Sequence, residues 1–189
     1  MPEASTAQLD TTASSSSDTS GASDTSGTMD MGSEAVGVTL RRTTHGLVHV
    51  TADHYFGIGY GVGYAYTEDN RCLLAFRLAE VSGGLAAQLG ADAPVTNEVH
   101  DITTSALRSD RFYRGWLDLE RIEAEFAAGA VEVLELAEGY AAGINRYLGA
   151  HPGLSACAVE FTGEVTTSDV LRLWVATATV GSGESLISL

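Results

Sequence analysis

Three groups of residues near the start of the ordered part of this chain could do chemistry. The stretch "FGIGYGVGYAYTEDN", residues 56–70, sets Gly57, Gly59, Gly61 and Gly63 at every second position and ends near the acids Glu68 and Asp69. Glycine-rich loops cradle phosphates, and paired carboxylates serve as acid and base. His45, His49 and His54 lie just before it. The cysteines are Cys72 and Cys157. Two are too few for a disulfide scaffold, and their spacing fits no zinc site. Buried thiols are the plain reading at this point.

None of these groups makes a strong site by itself. A dinucleotide fingerprint needs G-x-G-x-x-G between a strand and a helix, with an acid further on for the ribose. Here the spacing is G-x-G-x-G-x-G, and that acid is missing. In an extended chain the glycines would share one face, with Phe56, Ile58, Tyr60, Val62 and Tyr64 on the other. A face without side chains lets a neighbouring backbone approach closely. The expectation is therefore a close-packed extended segment running into a helix, whose first turns carry Glu68 and Asp69. Adjacent residues on a helix do not face each other, so these acids are expected to cap or to pair with an arginine such as Arg71 or Arg77. His45 and His54 fall in turns and read as solvated. His49 falls on a strand, where a satisfied core histidine is the usual reading. Glu120, Glu123, Glu125, Glu132, Glu135 and Glu138 read as solvated helix faces.

The elements that must position these residues follow from composition. The chain has 189 residues, a net charge of −15 and no lysine. That charge argues against nucleic acid as a partner. No apolar run is long enough for an integral membrane segment, and no signal peptide is visible at the N-terminus. Residues 1–33 are nearly half Ser and Thr and lack aromatics, which predicts a disordered tail. Residues 34–189 form the second unit. "VGVTLRRTTHGLVHVTA" predicts two short strands around a turn. Tyr64–Val81 predicts a helix, and Tyr113–Leu148 two helices broken near Gly129. Leu134, Ala137, Ala141, Ile144 and Leu148 form the apolar stripe of the second. Ser168-Asp169 predicts a cap for a last helix reaching about Val180. "GADAPVTNEVHDITTSALRSDR" is expected to be mostly loop.

Three blocks, in one order, resemble the α-subunit region of the penicillin acylase family. In the first, His49, Ala52, Gly61, Gly63, Tyr64, Ala65, Glu68, Asp69, Asn70, Cys72 and Gly90 match, while Val48 and Gly84 replace the usual proline and arginine. In the second, Tyr140, Ala141, Gly143, Asn145 and Tyr147 match. The third is "TTSDVLRLWVATATVGSG", similar to a Thr-x-x-Asp turn that opens a helix. The Glu-Asp-Asn-x-Cys spelling is most similar to the subgroup of aculeacin A acylase and the acyl-homoserine-lactone acylases.

The resemblance implies an α+β fold: the mostly helical α-subunit portion of an αββα N-terminal nucleophile hydrolase. It implies a Cys72–Cys157 disulfide, since the subgroup has a second cysteine before the Thr-x-x-Asp segment. It implies a β subunit, cut from the same precursor, whose first residue attacks the amide with its own α-amino group as base. The catalytic residues would then lie outside this chain. The acyl-pocket wall would include Ala178, Gly181 and Ser182, all small. No cofactor is implied. The calcium-ligand position of some relatives falls at Ser188, so no metal ligand is expected here. The substrate would be a small acylated amide, in an exported protein, periplasmic or lipid-anchored. A truncated remnant acting as a surface-tethered binding module is the rival expectation.

Overall fold

The computed structural model describes residues 6–9, 37–43, 45–97, 102–153 and 157–179. Three antiparallel strands form the first sheet, β1 (Thr6–Leu9), β2 (Val38–Arg42) and β3 (Val48–Ala52), in that order. β2 and β3 make the predicted hairpin, with Val38 opposite Ala52 and Arg42 opposite Val48. Its turn is closed by Gly46 N–H donating to the Thr43 carbonyl at 2.9 Å. β1 lies within the stretch read as a tail and pairs with β2; the rest of 1–33 lies outside the described residues.

The glycine stretch departs from the expectation: it is helical, not extended. Helix α1 runs Tyr55–Val81, with a kink at Asn70. His54 starts it, because its Nδ1 accepts the Gly57 N–H at 2.9 Å. His54 is exposed, as expected, and its ring caps the helix as well. Residues four apart share a helix face, so a spacing of two divides the glycines into two faces. Gly59 and Gly63 face helix α5 (Val131–Ala150), and a Cβ on them would lie 2.1 Å from Leu136 O and 2.2 Å from Tyr140 O. Gly139 and Gly143 of α5 reciprocate, with Cβ positions 2.0 Å from Phe56 O and 2.1 Å from Tyr60 O. Gly57 and Gly61 face the hairpin, where Cβ atoms would meet Ala52 Cβ at 2.7 Å and Val50 Cγ1 at 2.5 Å. Close approach of a bare backbone was the right physics, achieved in a different conformation.

The remaining elements are α2 (Leu85–Leu89), the β4–β5 hairpin (Pro94–Asn97, Ile102–Ser105), α3 (Ala106–Trp116), α4 (Leu119–Ala127) and α6 (Thr167–Ala178). The segment expected to be mostly loop therefore holds a hairpin and the start of α3. The predicted break near Gly129 is present, and a second one falls at Leu117-Asp118, where Asp118 caps α4. The main core joins α1, α3, α5 and α6 through Leu74, Leu78, Tyr113, Ile144 and Val170. The predicted α5 stripe lies in it: Ala137, Ala141 and Ile144 are buried, and Leu134 and Leu148 pack beside them. A second cluster gathers Leu85, Val95, Ala106 and Val159. The result is a mostly helical α+β fold, as the sequence predicts.

Candidate functional site

The last helix, α6, is the element the sequence reading placed nearest the substrate, and four anchors hold it. Thr166 begins it: its Oγ1 accepts the Asp169 N–H, and the Asp169 carboxylate accepts the Thr166 N–H at 3.0 Å. The cap thus falls on Thr166, two residues before Ser168, with Asp169 completing it as a capping box. Just upstream, Asn145 of α5 bonds Val165 twice, accepting its N–H at 2.8 Å and donating to its carbonyl at 2.7 Å. Ser168 hydroxyl donates to Glu123 of α4. Val170, Leu171, Leu173 and Ala176 are buried in the core, and the Trp174 ring meets Tyr140 edge-on at 6.1 Å. The far end of α6 presents Ala178, which is exposed. Gly181, Ser182 and Ser188 lie outside the described residues.

Cys72 and Cys157 are joined, with Cα atoms 5.3 Å apart and a sequence separation of 85. Glu160 gathers the surrounding bonds. Its Oε1 accepts the Cys157 N–H at 2.5 Å, and its Oε2 accepts from Arg71 at 3.2 Å. Its backbone is matched twice by Gln88, whose Nε2 donates to Glu160 O at 3.1 Å and whose Oε1 accepts Glu160 N–H at 2.8 Å. Sequence reasoning missed Glu160 and Gln88. Their separation of 72 residues leaves no local signal.

Glu68 and Asp69 pair with an arginine, as expected, but it is Arg42 rather than Arg71 or Arg77. Both hold Arg42 of β2: Nη2 lies 2.5 Å from Glu68 Oε2 and 2.8 Å from Asp69 Oδ1. The Asp69 and Glu68 carboxylates raise the Arg42 guanidinium above its usual pKa. Arg71 serves Glu160 instead, and Arg77 pairs with the buried Glu80. This cluster fastens the hairpin to α1. His45 and His49 are exposed, so His49 is not a buried core histidine within this chain. Of the six acids read as solvated, Glu135 is half-buried and the others are exposed. Burial raises the Tyr140 phenol far above its ordinary range, with the charge of Tyr66 adding to it. Among the described residues, no cluster of three or more His, Cys, Asp or Glu could hold a metal ion. No helix among them is long and apolar enough to cross a membrane.

This scaffold has known counterparts. The penicillin amidase family profile matches residues 37–180, and the chain belongs to that family. It is similar to the acyl-homoserine lactone acylase PvdQ of Pseudomonas syringae pv. tomato, with 36% identity over 144 residues, 74% of this chain and 18% of the relative. It is also similar to aculeacin-A acylase of Actinoplanes utahensis, with 30% identity over 109 residues, 58% of this chain and 14% of the relative. Among solved structures it resembles the thermostable penicillin G acylase of Alcaligenes faecalis. There the TM-score is 0.62 at 25% identity, covering 78% of this chain and 74% of that one. The chain thus spans under a fifth of the length of these curated relatives.

Proposed function

We propose that this chain is the α-subunit portion of an exported N-terminal nucleophile amidohydrolase. It would act with a β subunit from the same precursor, whose first residue supplies the nucleophile. The reaction is deacylation: attack on the amide carbonyl, loss of the amine, then hydrolysis of the acyl-enzyme. The substrate class is an acyl chain amide-linked to a small polar amine, of the acyl-homoserine lactone, lipopeptide or β-lactam type.

One observation carries the reading. The alignment takes in 74% of this chain but only 18% of the acyl-homoserine lactone acylase, whereas the solved acylase chain is matched over 74% of its own length. A polypeptide of about this size therefore exists as a separate chain in one relative and as a small part of the whole in another. That is the pattern of a processed subunit.

In this reading the chain's own work is to position a wall. The Asn145–Val165 pair and the Thr166–Asp169 capping box fix the start of α6. The helix then carries Ala178 outward toward the acyl group, and Gly181 and Ser182 follow it in the sequence. Small side chains there leave room for a long or bulky acyl group.

The test is hydrolysis of fatty-acyl p-nitroanilides of graded length by the product of the complete reading frame, beside the 189-residue chain alone. Activity confined to the complete product, with a length preference that shifts in an Ala178→Phe variant, is the expected result. No activity in either would favour the binding-module alternative.

A further inference from the structure

We infer that the Cys72–Cys157 bridge is a redox latch on residues 157–164, closed when oxidised and released when reduced, while the helical core stays folded in both states. This does not depend on the substrate class. Access comes first: Cys72 lies on the exposed side of α1, and exposed bridges are the ones open to thiol–disulfide exchange. Next is what the bridge holds. Residues 157–164 belong to no helix or strand. Their position rests on the bridge, on the Glu160 carboxylate, which bonds both Cys157 N–H and Arg71 beside Cys72, and on the Gln88–Glu160 backbone pair. These bonds and the bridge bring the same two points together, so each raises the effective concentration for the other. The segment has two apolar inserts: Val159 closes the second cluster over Leu85, Val95 and Ala106, and Phe161 packs, half-buried, against the main core.

What the bridge does not hold decides between latch and staple. α1 and α5 meet through glycine and backbone, in contact along Gly59, Gly63, Gly139 and Gly143. The start of α6 is tied to α5 by Asn145, downstream of the latched residues. Neither contact passes through the bridge.

The exchange balances with an external dithiol. Its thiolate attacks Cys72 Sγ, and Cys157 leaves as a thiolate and takes a proton. The second thiolate of the reagent then attacks the mixed disulfide, freeing Cys72 as a thiol. Two electrons pass from the dithiol, which ends as its own disulfide. A disulfide carrier in an oxidising compartment reverses these steps, so the latch would close on export.

The test uses the full-length protein in buffers of reduced and oxidised dithiothreitol, with thiol alkylation reporting the bridge and hydrogen exchange reporting the segments. Reduction is expected to speed exchange of residues 157–164 and 85–89 at least tenfold. Residues 57–67 and 137–147 should stay within twofold. A Cys72→Ser/Cys157→Ser double variant should show the open pattern at every ratio. Glu160→Ala should let the bridge open at a reductant ratio about tenfold lower, by reciprocal coupling. Unchanged exchange in 157–164 would overturn the latch. So would exchange rising equally through α1 and α5, since the bridge would then be a staple of the whole fold. A bridge midpoint unmoved by Glu160→Ala would remove the coupling on which the argument rests.

Discussion

Asn145 and Val165 are joined by a reciprocal pair of hydrogen bonds, one at 2.7 Å and one at 2.8 Å, between a helix side chain and a loop backbone twenty residues away. The primary amide is the side-chain group of this size that both donates and accepts in one plane. It replaces a strand partner for Val165 and sets where α6 begins. Asn145→Ala should therefore lose both bonds and leave a buried backbone pair to find water, costing about 2–3 kcal/mol. Asn145→Asp should cost at least as much near neutral pH, because a carboxylate then faces the Val165 carbonyl. Urea unfolding monitored by Trp fluorescence checks both. A loss below ~0.5 kcal/mol would show that the loop re-forms without the amide.

The glycines of α1 separate by neighbour, not by sequence. Gly59→Ala would put a methyl group 2.1 Å from the Leu136 carbonyl oxygen. Backbone cannot swing aside as a side chain can, so the loss should exceed the ~1–3 kcal/mol of ordinary overpacking. Gly115 in α3 has no atom within 4 Å of its Cβ position. Gly115→Ala should stabilise by about 0.5–1 kcal/mol through helix propensity. Thermal melts of the two variants side by side should move in opposite directions.

Asp110 is a buried carboxylate, 6% exposed, that accepts the Leu85 and Ala86 N–H groups, each at 2.9 Å. It caps a five-residue helix that has no side-chain cap of its own. Asp110→Ala should cost about 2–3 kcal/mol, toward the upper end for a charged cap. Hydrogen exchange should show the loss first in residues 85–89. Protection unchanged there would mean that α2 is held by Leu85 packing alone.

Tyr140 gives a pH signature. Its phenol is raised from the ordinary value of 10.0, by burial first and by Tyr66 second. A raised folded pKa means that the unfolded chain releases the proton more readily. Stability is then fully present below pH ~10 and is lost as pH rises toward the folded value. Burial also raises Tyr60 and Tyr64 in the same direction. Tyr140→Phe should flatten the alkaline fall in stability without removing it. Absorbance titration at alkaline pH should show one phenol fewer in the latest phase. A slope unchanged by the substitution would assign the alkaline loss to the other tyrosines.

Where sequence and structure agree, the reason is local. The apolar stripe of α5 follows from spacing alone, because a helix buries residues three and four apart whatever it packs against. The β2–β3 hairpin follows from a turn flanked by short apolar runs. The order of the family blocks was legible through their resemblance to the family, which also implied the Cys72–Cys157 pairing. The glycine stretch was not legible. A period of two fits one face of a strand, and it fits two faces of a helix equally well. Only the presence of α5 on one side and the hairpin on the other selects the helix. Likewise, Glu68 and Asp69 had arginines close by in sequence, yet they bond Arg42, 26 and 27 residues away, because the fold lays β2 across α1. Glu160 and Gln88 carry no local signal, since each finds its partner only after chain closure. Residue type and spacing therefore determined the α5 stripe, the later part of α1, the β2–β3 hairpin and the resemblance to the family. The tertiary structure alone decided which charges meet, which glycine face touches which neighbour, and what the disulfide holds, because those depend on contacts between segments distant in the chain.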